Sequence, residues 1–228
     1  MTTTLIVARH GNTFNKGDVV RRVGARTDLH LTEEGLRQGG RLGRNLLEAG
    51  LKPNRFFSAP LLRTVETCVE AAKVFDVTSP PELVDFLTEL DYGEFDGLSE
   101  EEVLFRLGAL ESDSSEIKFS SKERAQFVEK GKIALKNWDE SCVLPKGWDF
   151  LQPKISQLPI DWNNFAARLL KESPGSCNLV VTSNGIARFA LSLARNGNDL
   201  ASTKLSTGAY GVFVSDGSEW VLQTWNVR

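Results

Sequence analysis

Short, unbroken apolar runs alternate along this chain with longer amphipathic stretches. Leu5-Ile6-Val7-Ala8 and residues 178–182 are continuous runs rich in β-formers, the pattern of strands buried on both faces. Thr32-Glu33-Glu34-Gly35 opens a helix with Thr32 as its N-cap; Leu36, Leu42, Leu46 and Leu47 supply the apolar stripe and Gly50 ends it. Arg55-Phe56-Phe57-Ser58 reads as a second strand, followed by a helix from Ala59-Pro60 to about Phe75. Residues 82–84 form a short strand and 87–98 an irregular acidic loop. Ser99-Glu100-Glu101-Glu102 then starts a helix whose acids suit its dipole. From about 112 to 160 the pattern is less regular, and a helix resumes over 162–171. Ser183-Asn184-Gly185 is a tight turn into an apolar helix over 186–194. Asp216-Gly217-Ser218 marks a hairpin between strands at 210–215 and 219–224. Strand and helix in alternation predict an α/β fold, a three-layer α/β/α sandwich around a mostly parallel sheet. Residues 1–228 are expected to form a single domain, with a lid or insertion at about 105–160.

Composition narrows the function classes. A hydrophobic content of 41% is enough for a sizeable core, and a net charge of −3 lacks the basic excess of a nucleic-acid binder. Cys68, Cys142 and Cys177 are odd in number and widely spaced, which favours reduced thiols over a disulfide framework or a zinc site. The start of the chain has no signal-peptide pattern, and no apolar run approaches the ~20 residues that span a bilayer. A cytoplasmic protein with no membrane partner is expected.

The chemistry concentrates where strands end. Arg9-His10-Gly11 follows one buried strand and Ser183-Asn184-Gly185 the other, and in an open parallel sheet such turns share the ligand-binding edge. Arg9, His10, Asn15, Arg63, Glu89 and Asn184 are the candidate groups at that edge. Two arginines, an imidazole and amide donors suit an oxyanion, and a nearby carboxylic acid could protonate a leaving alcohol. Arg22 and Arg26 lie in the loop after His10, where a substrate anion or solvent could engage them.

The order of these motifs resembles the histidine phosphatase superfamily, the phosphoglycerate mutase-like proteins. The resemblance runs through Arg9-His10-Gly11-Asn12-Thr13 with Asn15, Thr27-Asp28-Leu29-His30-Leu31-Thr32-Glu33-Glu34-Gly35 with Gln38, and Ser58-Ala59-Pro60-Leu61-Leu62-Arg63-Thr64 with Thr67. It continues through Glu89, Tyr92-Gly93 and Gly97, and through Val180-Val181-Thr182-Ser183-Asn184-Gly185-Ile186 with Arg188, and leaves out about 105–160. It implies a phosphoglycerate mutase-like fold and a phosphohistidine intermediate at His10. Arg9 and Arg63 would hold the phosphoryl oxygens, Asn15 would add a donor, and Arg22 and Asn184 would bind substrate or phosphate. Glu89 would act as general acid and then base, and the helix near Ile186 would aim its N-terminus at the anion. No metal and no cofactor are implied. The partner is a phosphorylated small molecule, and the oligomeric state stays open, with a homodimer among the options.

The chain departs from the family at informative places. Asn184 stands where the second catalytic histidine is expected; it can donate a hydrogen bond but cannot carry imidazolium charge. His30 lies where relatives usually have proline and is expected to pack at the rim of the pocket. Pro145-Lys146-Gly147-Trp148-Asp149 stands where many relatives carry Gly-Glu-Ser, which weakens a mutase assignment. The favoured expectation is a phosphomonoester hydrolase, possessing reduced activity if Asn184 is a poor substitute. The alternatives are a weakened phospholigand-binding module and a mutase-type phosphotransferase.

Overall fold

Side chains on successive strand residues point to opposite faces of a sheet, and here that alternation fills two cores at once. The computed structural model describes residues 1–112 and 119–228, with the backbone alone at 198 and 199. Its sheet has six strands: β1 (Thr3–Arg9), β2 (Arg55–Ser58), β3 (Glu82–Leu83), β4 (Cys177–Thr182), β5 (Tyr210–Ser215) and β6 (Trp220–Val227), in the order β3-β2-β4-β1-β5-β6. The first four are parallel, while β5 and β6 run antiparallel beyond β1. Leu5 and Val7 of β1, Phe57 of β2 and Val180 of β4 face one core; Ile6, Ala8, Phe56, Leu179 and Val181 face the other. The first core is closed by α5 (Gln152–Glu172) through Leu158, Trp162, Phe165 and Leu169. The second is closed by α1 (Glu33–Glu48) and α2 (Leu62–Ala72). This is the expected mixed α/β architecture.

Three local expectations change. Thr32 does cap α1, its hydroxyl accepting from the Gly35 N–H at 3.1 Å. The stripe, however, is not four leucines: Leu36 and Leu47 are 37% and 44% exposed. The inward face instead carries Gly35, Gly39 and Gly43 beside Leu42 and Leu46. A Cβ on Gly39 would stand 2.8 Å from the Glu70 Cβ, and one on Gly43 2.6 Å from the Ala71 carbonyl, so glycine lets α1 seat directly on α2. α2 itself begins at Leu62 rather than at Ala59, and a 3₁₀ turn over Lys73–Phe75 completes it. The irregular stretch is the largest difference, because it is mostly helical. α3 (Glu100–Glu111) is followed by α4 (Ser121–Ser141), which starts with a reciprocal Ser120–Glu123 capping box. α5 begins ten residues earlier than its apolar pattern suggests and runs through Pro159. A proline there removes one helical hydrogen bond, but Leu158 and Trp162 beside it are fully buried, and Trp162 and Phe165 pack edge-on against Phe86 and Phe57 at 5.3 and 5.2 Å. Tertiary packing outweighs the local cost. Of the expected insertion, residues 113–118 lie outside the described residues.

α3 and α4 cross at unusually short range, and this sets where α4 lies against the site. A Cβ on Gly108 would stand 1.8 Å from the Phe127 carbonyl oxygen, and one on Gly131 1.9 Å from that of Leu104. Opposite outcomes are therefore expected for two helical Gly→Ala changes. Gly40→Ala, whose Cβ would meet only the Arg44 guanidinium at 3.4 Å, should raise stability by about 0.4–1 kcal/mol through the unfolded chain. Gly131→Ala should lower it by about 1–3 kcal/mol because the helices must separate. Urea unfolding of both variants checks the sign; a stabilised Gly131→Ala would contradict the close crossing.

Candidate active site

β1 and β4 lie side by side in parallel, with Arg9 in register with Thr182, so the loops that follow them open on the same edge. The loop after β1 is braced from several sides by residues of the family-like blocks. The Gly11 N–H donates to the Thr67 hydroxyl at 3.0 Å, and the Asn12 N–H to the Gln38 side-chain oxygen at 2.7 Å. The Thr32 N–H donates to the Asn12 carbonyl at 2.9 Å. Gly11 and Gly35 sit back to back, a Cβ on Gly11 falling 2.4 Å from the Gly35 carbonyl oxygen. On the far side, the Arg9 N–H donates to the Ala209 carbonyl at 2.9 Å and the Gly208 N–H to the Arg9 carbonyl at 3.1 Å. These contacts fix His10 without consuming its reactive nitrogen.

His10 is buried, and its Nδ1 lies 2.7 Å from the Gly11 carbonyl oxygen. A carbonyl only accepts, so Nδ1 carries the proton and Nε2 keeps its lone pair. Burial first, then the charges of Arg63 and Arg9, hold the imidazole pKa well below its ordinary value, against a smaller opposing effect of the Gly11 bond. A neutral imidazole with a free Nε2 is the form that attacks an electrophile.

A cleft of 1110 Å³ opens over this residue and is lined by six of the seven expected site residues: Arg9, His10, Asn15, Arg22, Glu89 and Asn184. Arg63 is the exception. It is fully buried, donating to the Thr27 carbonyl at 2.8 Å and the Gly24 carbonyl at 3.2 Å, yet its charge acts on both His10 and Glu89. Arg9 donates to the Leu205 carbonyl at 2.8 Å. Among the described residues, the Nε atoms of Arg9, Arg22 and Arg63 are buried without a hydrogen-bond partner; Arg9 and Arg22 line the cleft, so theirs is donor capacity that an anionic ligand can use. Arg22 lies over the Tyr92 and Trp148 rings, at 5.2 and 5.5 Å from their centroids. Asn15 sits exposed at the cleft's margin, with its N–H on Asp18 at 2.7 Å.

Glu89 is the buried acid of the cleft. Its carboxylate accepts from the Leu90 N–H at 2.8 Å and the Gly185 N–H at 3.3 Å. A Cβ at 185 would stand 2.1 Å from the Glu89 Oε1, so any larger residue there would displace that carboxyl group. The Gly185 amide, expected to aim at the anion, is thus taken by Glu89, and α6 (Asn184–Ala187) is a single turn. The other loop acids are occupied elsewhere. Asp96 accepts from Gly24, Arg26 and Thr27, while Asp91 pairs with Arg26 at 2.8 Å. The Asn184 Oδ1 accepts from the Leu205 N–H at 2.8 Å, which leaves its NH₂ group as the donor facing the ligand space. His30 is not at the rim: its side chain is 73% exposed and paired with Glu66.

Sequence reasoning gave no role to Arg188, Asp139 and Lys204, which line the same cleft. Arg188 donates to the Asn184 carbonyl at 3.1 Å, to the Trp138 carbonyl, and to Asp139 at 3.1 Å. Lys204 donates to the other Asp139 oxygen at 2.6 Å. Burial works against the Asp139 charge, but these two cations more than offset it and hold its carboxyl below the usual range. Arg188 had a faint signal, one helical turn after Asn184. Asp139 and Lys204 had none, being far apart in the chain and meeting only in the fold.

Comparison with known proteins bears on the family and the fold. Residues 5–130, more than half of the 228, match the model of the histidine phosphatase superfamily, branch 1. A 2,3-bisphosphoglycerate-dependent phosphoglycerate mutase of Nocardia farcinica is 30% identical over 109 residues, covering 47% of this chain and 44% of the relative. The chain thus spans about half the length of the curated relatives it matches. Among solved structures, phosphoglycerate mutase from Bacillus anthracis superimposes with a TM-score of 0.68 at 17% identity, over 99% of this chain and 93% of that one. A mycobacterial glucosyl-3-phosphoglycerate phosphatase does so with a TM-score of 0.66 at 17% identity, over the whole of both chains. At such identities the superpositions establish the fold. Among the described residues, no helix is long and apolar enough to cross a membrane.

The orientation of Asn184 generates a direct test. Asn184→Asp keeps an acceptor for Leu205 but replaces the donor with a carboxylate. Losing a hydrogen bond to a charged ligand should weaken inorganic phosphate binding by about 10–100-fold. Calorimetric titration checks it, and unchanged affinity would mean that this amide does not face the anion.

Proposed function

The chain belongs to the histidine phosphatase superfamily, and from that premise we propose that it is a phosphomonoester hydrolase acting on a small phosphorylated metabolite through a phosphohistidine at His10. The observation that carries the reading is the commitment of Nδ1 to the Gly11 carbonyl, which leaves Nε2 free on a neutral ring between two arginine charges. In the first step Nε2 forms a bond to phosphorus while the ester P–O bond breaks, and the departing oxygen takes the proton of the Glu89 carboxyl group. In the second a water attacks phosphorus, gives its proton to the Glu89 carboxylate, and the P–N bond breaks to return neutral His10 and phosphate. Arg9 and Arg63 stabilise the phosphoryl charge in both steps, with Asn15 and Asn184 as neutral donors. Arg22, held between Tyr92 and Trp148, engages the rest of the substrate.

Hydrolysis is favoured over mutase-type transfer because the stretch at Pro145–Asp149 lacks the Gly-Glu-Ser element of many relatives. The α3–α4 hairpin, with α4 lining the cleft through Lys132, Lys136 and Asp139, serves in this reading as the lid. A second reading, a phospholigand-binding module, draws on the neutral Asn184 in place of a cationic histidine.

Incubation with a panel of radiolabelled phosphate esters separates these readings. Hydrolysis predicts acid-labile, alkali-stable label on His10, and a loss of turnover on the order of 10⁴-fold or more in His10→Ala. Absent label together with undiminished turnover in His10→Ala would overturn the mechanism. Tight binding without turnover would favour the binding module.

A further inference from the structure

We propose that Lys204 supplies, at the phosphoryl group, the positive charge that Asn184 cannot provide. The inference rests on the hydrolase reading above and extends it to a residue outside the family-like blocks.

The side chain of Asn184 docks on the main chain of Leu205 through the 2.8 Å bond to its N–H, and Arg9 docks on the same residue through its carbonyl at 2.8 Å. Lys204 immediately precedes, its Cα about 2.4 Å from the Leu205 nitrogen by covalent geometry. It therefore springs from the point where Asn184 and Arg9 converge, and it lines the same cleft as His10 and Glu89.

Asp139 holds two cations, but they are not equivalent. The Arg188 side chain is 1% exposed, and its Nε and both terminal nitrogens are committed to Asn184, Trp138 and Asp139. The Lys204 side chain is 49% exposed, and Asp139 is its one hydrogen-bonded partner among the described residues. When Lys204 leaves, Asp139 keeps Arg188 and is not stranded as an unpaired charge. A half-exposed ion pair of this kind is weakly held, so an arriving phosphate, with more charge than one carboxylate, competes for the ammonium effectively. A lysine is a compact point charge on a flexible four-carbon stem and is suited to such an exchange. Asp139 thus keeps Lys204 oriented toward the cleft until the anion arrives.

A two-by-two cycle of Lys204→Met and Asn184→His tests this, read on kcat and KM with a phosphate ester that the parent protein turns over. In the parent, Lys204→Met should lower kcat by about 10²-fold, the usual effect of removing one charge-stabilising donor, with a smaller change in KM. Lys204→Arg should retain most of the activity, which a purely structural defect at this position would not allow, and thermal melting should stay near that of the parent. In the Asn184→His background the loss from Lys204→Met should shrink to a few-fold, because imidazolium then supplies the charge. Equal losses in both backgrounds, or no loss in either, would overturn the proposal. A parent without turnover or His10 label would instead defeat the hydrolase reading. The same cycle read on inorganic phosphate affinity then decides the Lys204 question: non-additive losses support it and additive or absent ones refute it.

Discussion

Arg9 and Arg63 bring two guanidinium groups to the C-terminal edge of the sheet beside a buried imidazole, and the carboxylate buried with them is Glu89. Burial lowers the pKa of both arginines, but guanidinium groups keep their charge, so the group that gives up its proton is His10, held neutral by burial and by both neighbours. Other features of the site follow from satisfying the remaining groups. Two backbone amides hold Glu89 in place; Arg63 is tied to the Thr27 and Gly24 carbonyls; Arg9 is tied to Leu205. The Gly11 carbonyl then selects the tautomer. The combined charges of this cluster, rather than any single contact, set the electrostatics of the edge.

Much of this was legible in the sequence, for a physical reason. The motif residues act locally and are short in reach: Gly35 permits the close approach to the His10 loop, Gln38 and Thr67 satisfy its backbone N–H groups, and Thr32 caps α1. Each constraint narrows the residue types that suit one position, so the pattern is legible in the sequence. The strand runs were equally plain because β1 and β4 are buried on both faces.

What escaped the sequence depends on contacts between distant segments. α4 buries only Gly131, Ala134 and Trp138, too sparse a stripe to announce a 21-residue helix, and Pro159 disguised the first half of α5. Leu36 and Leu47 looked like core because leucine usually is, but α1 meets α2 through glycines. The Asp139–Lys204 and Asp139–Arg188 pairs join residues 65 and 49 positions apart, with no periodicity to betray them. The first of these pairs links α4 to the segment carrying Leu205, and the second links it to the turn that follows Asn184.

The central claim is that His10 presents a neutral ring with its proton on Nδ1. Nitrogen NMR of the histidine side chains tests it most directly, and the chain has only two histidines to assign. Between about pH 8 and 5.5, across the range where an unperturbed imidazole titrates, His10 should keep an unprotonated Nε2 and show no imidazolium signal. Titration of His10 near the ordinary value, or a proton on Nε2 in the neutral form, would contradict it.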